Sequence, residues 1–390
     1  MTALVPFVQH NVADAVTVSQ AAVLFLTISP STVANGMGQT YSPLSNGDSF
    51  QNYFFPGTTN EHNVNLTYGF KNEWLPQFGF SDLYYDVEAY QVGFPLNIPD
   101  LRNTLLSLSY YDILLDMGSQ PWTDAVGNSL GTIDSWDRAR VIRFGVNWRE
   151  QWQRTWFSQT MISVGWGLDF IRSNLATGVQ IGSQVAHEGR ATCWDWGVSA
   201  TSRVMQSPDG NVGLDFGLQV AENFINRSKI YYADQAQSDP LPRRGSIGLA
   251  GAVEWRRDTL PLGRLHLAWN RNVMLISEGG GYTSLPGTIF DAGEITSSGL
   301  ELTLVNTFTW RSGFYNNDPG HVNLSTAGWG IQTLGVRNYL QYLPQLKQNR
   351  YLNFFFTRFN LFYNYSSWDG GENHPITETV FREAGIIYEL

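Results

Sequence analysis

The feature that most constrains this chain is a regular alternation of apolar residues with small or polar ones. It recurs in long segments, as in Ile142-Arg143-Phe144-Gly145, and covers 141–149, 161–170, 193–200, 211–220 and 246–255. Alternation with a period of two predicts a β-strand that has one apolar face. Most segments reach the roughly 9–11 residues of a membrane-crossing strand, whereas soluble strands centre on about 5–6. The pattern therefore favours strands that cross a bilayer.

Composition points the same way. The chain of 390 residues is 43% hydrophobic and 14% aromatic, but only 15% charged, against about 25% in average soluble domains. The face opposite the apolar one carries Gly, Ser, Asn and Asp, as a barrel lumen does. The chain has no run of 18 or more apolar residues, so the sequence predicts no transmembrane helix. We therefore predict an all-β fold, a transmembrane antiparallel β-barrel in the bacterial outer membrane; the alternative is a large soluble all-β domain.

Thirteen strands can be counted from the alternation, and bacterial single-chain barrels have even numbers. We therefore predict about fourteen strands, the missing one falling in the gap 273–298. Gaps at 112–138, 172–192 and 222–244 are long and are expected to form outer loops, because short turns face the periplasm. The counted segments are 63–70, 84–94, 103–111, 139–149, 160–171, 193–203, 211–221, 245–255, 263–272, 299–311, 325–337, 351–365 and 380–390.

The first 62 residues precede the clear strands. We predict that 1–62 form a plug-like or periplasmic segment and that 63–390 form the barrel, within one domain overall. No signal peptide is readable, because the start lacks a basic region followed by an apolar core. A barrel must cross the inner membrane, so we expect the sequence to be the mature form with an added Met1, or a chain whose start was mis-assigned.

Several function classes are disfavoured. The net charge of −10 makes a nucleic-acid partner unexpected. Cys193 is the only cysteine, so neither an intramolecular disulfide nor a cysteine-based metal site can form. The six histidines are scattered, without a metal-ligand spacing. We predict no metal, no cofactor and no catalytic residues.

One pattern resembles an enzyme motif. Gly47-Asp48-Ser49-Phe50 is similar to the Gly-Asp-Ser block of a lipase and esterase family, and Asp318-Pro319-Gly320-His321 supplies an Asp-x-x-His. A serine nucleophile needs a histidine base that is oriented by a carboxylate. Both tetrapeptides have the composition of loops, and no buried parallel strand precedes Ser49. We therefore predict that the chain is not an enzyme.

Charged residues on the small and polar face are expected to point into the lumen. Asp169, Asp195 and Asp215 lie there, and Arg143 and Arg149 offer partners across a filled interior. His266 is expected on the same face. The aromatic run Phe354-Phe355-Phe356 is expected to contact lipid and form part of the interface girdle.

Short motifs, in the same order along the whole chain, resemble those of the PorV family of outer-membrane barrels, which are related to the FadL fatty-acid transporters. Each motif alone is weak, and the shared order carries the resemblance. They are Phe25 to Pro30 with Asn35 to Gly38, Trp74-Leu75 with Asp82, Ser107 to Tyr111 with Met117-Gly118, Phe170 to Leu175, Asn226 to Tyr232, Leu241-Pro242, and Pro375 to Thr379.

The resemblance implies a fourteen-stranded barrel and a role for the N-terminal motif within the plug segment, at Pro30, Gly36, Met37, Gly38 and Pro56. The chain departs from the family pattern at Ser31 to Val33, at Phe55 to Gly57 and at its last residue, Leu390. These departures are typical of a divergent member.

The resemblance also implies a function in type IX secretion. Such a barrel receives cargo that carries a C-terminal signal domain and presents it to a sortase, surrounded by outer-membrane lipid. The alternative is a FadL-like transporter of hydrophobic small molecules, which needs an apolar pocket in the lumen. The small and polar lumen face predicted above disfavours such a pocket. A general porin is a third possibility, which a plugged lumen disfavours.

Overall fold

A computed structural model of the chain describes residues 23–390 with some gaps. The gaps are position 46 and residues 58–62, 77–81, 97–102, 124–125, 127, 153–155, 176, 179, 182–183, 226–229, 233–237, 240, 258–259, 275–293, 319–321, 341–348, 373 and 375. No helix among the described residues is long and apolar enough to cross a membrane.

Fourteen long antiparallel strands form a closed barrel. Each strand pairs with its neighbours in sequence, and β1 pairs with both β2 and β14, which closes the wall. The strands are β1 Asn63–Gly69, β2 Tyr84–Pro95, β3 Thr104–Thr123, β4 Ser129–Gln151, β5 Trp156–Asn174, β6 Gly189–Gln206, β7 Val212–Ile225, β8 Arg244–Arg257, β9 Leu260–Met274, β10 Glu294–Leu304, β11 Phe308–Asn317, β12 Val322–Gln332, β13 Phe359–Asp369 and β14 Val380–Glu389.

The predicted alternation describes the two faces of the wall. On β4, Phe144 and Val146 point outward, each 47% exposed, while Arg143 and Asn147 are buried inside. The same outward exposure of large apolar side chains recurs around the barrel, for example at Trp166, Leu218, Leu267 and Trp329. A closed barrel with an apolar exterior satisfies its backbone groups without water, as a membrane wall must.

The connections differ in length at the two ends. The turn 305–307 and the two-residue gap between the ends of β8 and β9 lie at the end that holds Asn63 and Glu389, and the longer gap between β7 and β8 lies at the opposite end. Long connections face outward in such barrels, so we name these the inner and outer ends.

Two strand predictions around β10 are corrected. The segment 299–311 is not one strand: β10 ends at Leu304, a turn follows, and β11 begins at Phe308. This split supplies the fourteenth strand, so the expectation of a separate strand within 273–298 is wrong for the described part, where β10 simply begins at Glu294. Residues 275–293 lie outside the described residues.

The predicted strands 325–337 and 351–365 each contain a helix. β12 ends at Gln332 and is followed by a helix at Leu334–Leu340, and a second helix covers Arg350–Arg358 before β13. The aromatic run that was assigned to a strand is therefore helical. Phe354 and Phe355 are exposed, and Phe356 is half-buried.

The gap 112–138 is not a loop but the upper part of a long hairpin. β3 and β4 have 20 and 23 residues, roughly ten more than a bilayer requires. At about 3.3 Å per residue, the surplus extends about 30 Å along the strands. The outward face there carries charged pairs in place of apolar side chains; for example, Arg138 binds Asp112 at 2.5 Å. The gaps 172–192 and 222–244 do contain outer connections, but strand residues occupy their edges.

Candidate functional site

The described N-terminal residues lie inside the barrel. Residues 23–57 are almost all buried, and they include a 3-10 turn at Leu24–Thr27 and the short helix α1 at Thr32–Gly36. Ser31 caps α1 by accepting a hydrogen bond from the Ala34 N–H, and its hydroxyl donates to Asp48 at 2.7 Å. We call residues 23–57 the inner segment. The predicted boundary between 1–62 and the barrel stays a prediction, since 1–22 and 58–62 are outside the described residues.

Hydrogen bonds from wall side chains to the backbone hold the inner segment. Thr326 accepts from the Gly38 N–H at 2.8 Å and donates to the Gly36 carbonyl at 3.1 Å. Asn270 likewise accepts from the Tyr41 N–H at 2.6 Å and donates to its carbonyl at 2.9 Å. The inner segment therefore adds no strand to the wall, and its release would leave the barrel ladders intact.

The residues of the N-terminal family motif lie within this segment. Met37 is fully buried, and Gly38 adopts φ +71 where a Cβ would come within 2.4 Å of the Phe314 carbonyl oxygen. A Cβ on Gly36 would approach Arg311 and Gly328 at 3.3 Å. Pro30 is buried, and the Pro56 carbonyl lies against Gly165 of β5. These positions pack the segment closely against the wall.

The outer half of the lumen is filled by aromatic side chains. Tyr53 packs edge-on against Phe54 with ring centroids 4.6 Å apart, and Phe54 contacts Phe224 of β7 at 6.3 Å. Phe50 stacks on Tyr111 of β3 at 5.4 Å. The wall adds further buried apolar residues to this cluster, namely Tyr85, Val87, Ala89, Ile113, Leu115, Ala139, Val141, Trp368 and Phe381. The expectation of a small and polar lumen is therefore wrong for the outer half.

A buried group of charges fixes the aromatic cluster to the wall. Arg143 binds Asp169 at 2.6 Å and also binds Asp195, and all three side chains have 0% exposure. The guanidinium donates to the Tyr53 carbonyl of the inner segment at 3.1 Å. Asp195 accepts from the Phe224 N–H at 2.6 Å. Arg143 thus joins three strands to the inner segment, and its predicted pairing with the lumen aspartates is confirmed.

β7 is irregular where it meets this group. Its register against β6 shifts between Glu222 and Ile225, and Phe224 has φ +56. All residues from Ala221 to Ile225 are buried, so the alternation is lost and the Phe224 ring turns into the lumen. Non-glycine residues seldom adopt positive φ, and such conformations cluster at functional sites. No sequence signal marks this bulge. The residue with positive φ is Phe224, whereas asparagine, which adopts positive φ more readily, occupies the neighbouring position 223.

The remaining lumen predictions are partly confirmed. Asp215 faces inward, but it pairs with Arg203 at 2.5 Å rather than with Arg149. Arg203 also binds Glu254 of β8 at 3.1 Å. Arg149 instead lines a recess at the inner end. Arg203 of β6 thus pairs with carboxylates on β7 and on β8, which the sequence alone did not indicate.

His266 faces the lumen as predicted, next to a serine and a glutamate. Its Nε2 lies 2.7 Å from the Ser42 hydroxyl, and its Nδ1 lies 3.7 Å from a Glu301 oxygen. This order resembles a serine hydrolase triad. However, Ser42 and His266 are 1% and 0% exposed, and the serine oxygen accepts from the Leu44 N–H at 3.1 Å. The group therefore anchors the inner segment and offers no accessible nucleophile.

The esterase-like motif of the sequence is not assembled among the described residues. Ser49 is buried and its hydroxyl bonds to Thr67, while its carbonyl accepts from Tyr111 at 3.1 Å. His321 lies outside the described residues. Ser49 thus serves packing of the inner segment.

The inner half of the lumen is polar and partly open. A cavity of about 740 Å³ lies at the inner rim, lined by Asn63, Asn147, Arg149, Glu150, Arg337 and Glu389 among others. A smaller one of about 240 Å³ extends beneath the inner segment, past Ser45, Gln51 and Arg311. The lumen therefore has two zones: a closed apolar zone at the outer end and a polar recess at the inner end.

Comparisons with known proteins give structural similarity only. No protein-family model and no curated protein matches the chain. Among solved structures, it is similar to a Pseudomonas aeruginosa FadL homologue at 10% identity, over 92% of this chain and 98% of that one, with a TM-score of 0.38. It is also similar to the Pseudomonas putida toluene transporter TodX, at 12% identity over 91% of this chain and 96% of that one, with a TM-score of 0.44. The Ralstonia pickettii toluene transporter TbuX is 11% identical over 92% of this chain and 97% of that one, with a TM-score of 0.41. Because these identities and TM-scores are low, the assignment of the fold as a β-barrel rests on the strand pairing of this chain itself.

The chain forms a closed, fourteen-stranded antiparallel β-barrel. Its closed wall of fourteen strands carries an apolar exterior, and the inner segment occupies the lumen. Closed barrels of this size cross outer membranes.

Proposed function

We propose that the barrel transports hydrophobic small molecules across the outer membrane, as FadL-like transporters do. One observation carries the proposal: the outer half of the lumen is apolar and aromatic, although the wall sequence predicted a polar lining. An apolar solute gains favourable free energy on leaving water for such a zone, whereas ions and sugars do not. A general porin, by contrast, requires a water-filled lumen.

Passage requires the inner segment to move. Side-chain hydrogen bonds from Asn270, Thr326 and Arg143 hold it, so it can shift without opening a strand ladder. The polar recess beneath it would receive the solute on the periplasmic side. We infer that the structure represents a closed state in which Tyr53, Phe54 and Phe224 occupy the route.

Uptake measurements test this proposal. Cells that lack other such transporters would express the chain, and uptake of a labelled long-chain fatty acid and of labelled toluene would be measured. Phe54→Asp places a carboxylate among the lumen rings and should abolish the barrel-dependent uptake. Val126→Asp, at an 85% exposed position of the outer β3–β4 hairpin, is the matched control and should leave uptake unchanged. Equal uptake with and without the barrel, at normal surface levels, would rule the transporter out.

A second candidate is the cargo-receiving role in type IX secretion that the family resemblance implies. The observation in its favour is the β3–β4 hairpin, which extends beyond the bilayer and offers a protein-sized surface at the outer end. Its partners would be a cargo C-terminal signal domain and a sortase. Shortening the hairpin should abolish co-purification of an added signal domain while leaving small-molecule uptake intact. Uptake that is lost with Phe54→Asp, together with no signal-domain binding, would favour the transporter.

A further inference from the structure

The inner connection between β12 and β13 is unusual in its length and structure. It spans 333–358 and contains the helix α2 at Leu334–Leu340 and the helix α3 at Arg350–Arg358. Asn349 caps α3 by accepting from the N–H groups of Tyr351 and Leu352 at 3.1 and 3.2 Å. A capped helix of nine residues is thus held at the inner rim of the barrel.

The helix exposes aromatic side chains. Tyr351 is 86% exposed and Phe354 is 56% exposed, and Leu352 and Phe355 are exposed as well. At 100° per residue, Tyr351, Leu352 and Phe355 fall on one side of α3, and Asn353 and Thr357 fall on the other. Such a face is amphipathic rather than uniformly solvated.

The apolar side of α3 continues the lipid-facing wall. Phe355 stacks on Phe359, with ring centroids 5.5 Å apart and planes 20° apart, and Phe359 contacts Tyr388 at 5.0 Å. Phe359 and Tyr388 point outward, since their neighbours Asn360 and Ile387 are buried inside. The helix therefore lies on the bilayer side of the rim and not beneath the lumen.

We propose that α3 is an interfacial helix that inserts its aromatic face into the periplasmic leaflet of the outer membrane. Aromatic side chains favour the boundary between headgroups and acyl chains, and an amphipathic helix lies in that plane. Arg350 and Arg358 stand at the two ends of α3, where they can reach lipid phosphates. Arg358 also donates to the Glu389 carbonyl at 3.1 Å, which ties the helix to β14. This contact is independent of what crosses the barrel.

Depth measurements with single labels test the proposal on the whole protein. In a Cys193→Ser background, a fluorescent label that reports polarity would be attached at Tyr351→Cys on the aromatic side. Asn353→Cys on the opposite side is the matched control. Proteoliposomes would contain phosphatidylethanolamine and phosphatidylglycerol, with or without lipids that carry a quencher near the headgroup.

We expect the lipid-borne quencher to reduce the emission at position 351 at least threefold more than at position 353. An aqueous iodide quencher should show the reverse order. Equal iodide access at both positions would overturn the proposal and leave the face free for a periplasmic protein. Thermal unfolding of each labelled barrel checks that the fold is retained. As a second test, Phe355→Trp in place of the label should report the same depth with brominated lipids, by comparison with the parent protein.

Discussion

Replacing Arg143 with methionine should destabilise the barrel strongly. The change keeps an extended apolar side chain but leaves Asp169 and Asp195 without their cation, at 0% exposure. Removing one partner of a buried ion pair costs about 3–5 kcal/mol, because the remaining charge stays desolvated. The Tyr53 carbonyl also loses its guanidinium donor. The free energy of unfolding should therefore fall by at least about 3 kcal/mol.

Urea unfolding of the refolded barrel in phospholipid vesicles, followed by the fluorescence of its 14 tryptophans, measures this change. Arg190→Met is the control, since Arg190 binds Glu188 with a side chain that is 72% exposed. Exposed pairs contribute only about 0–1 kcal/mol. Adding Asp169→Asn and Asp195→Asn to Arg143→Met should restore part of the loss, since no unpaired charge then remains. If Arg143→Met costs no more than Arg190→Met, the buried charges do not hold the inner segment.

Two further outcomes are expected. Gly165→Ala should lower the free energy of unfolding by about 1–3 kcal/mol, because a Cβ there would lie 1.7 Å from the Pro56 carbonyl oxygen of the inner segment. Gly251→Ala is the control, since a Cβ at that position meets no atom closer than 4.0 Å. Urea unfolding compares the two variants. Hydrogen bonds from Arg172, and then from Arg190, lower the pKa of Glu188 from its ordinary 4.5 to about 2. The ion pairs of Glu188 at the outer end therefore contribute their full stability above pH 4.5 and lose it as the pH falls towards 2. Hydrogen exchange across 184–190, corrected for intrinsic rates, should rise only below about pH 4, and Glu188→Gln should remove this dependence.

The wall could be predicted from the sequence because the bilayer and the lumen impose a period of two on every crossing strand. The turn that separates β10 from β11 escaped prediction for a physical reason. Val305 and Asn306 are the central residues of the turn and have φ +47 and +51. Of these two residue types, asparagine is common in turns with positive φ, but valine is not. Because the turn residues 305–307 include no glycine or proline, 299–311 reads as one continuous strand.

The upper part of the β3–β4 hairpin was missed for the opposite reason. Beyond the bilayer, outward positions no longer need to be apolar, so Asp112 and Arg138 pair there and obscure the alternation. The helix α3 was read as a strand because a run of aromatic residues suits both. Neither error changes the topology of the barrel.

The filled lumen could not be predicted from the wall. The lumen face of the middle strands is small and polar, and many of the aromatic rings that close the outer half come from the inner segment and from the irregular residue Phe224, beside wall residues such as Tyr85 and Trp368. Contacts between segments distant in sequence, such as Arg143 with Tyr53, leave no local pattern. The charges themselves were nevertheless identified as lumen residues that pair.

The closure of the wall has a consequence for assembly. β1 directly follows the inner segment, yet its pairing from Asn63 to Gly69 is completed only by β14, more than 300 residues later. Joining strands so distant in sequence is slow, because a large loop must be ordered first. Until β14 pairs with β1, the sheet is open at that edge, and the inner segment can pack against the lumen face of the wall. We therefore expect the seam between β1 and β14 to be the last to close, which would wrap the sheet around the inner segment.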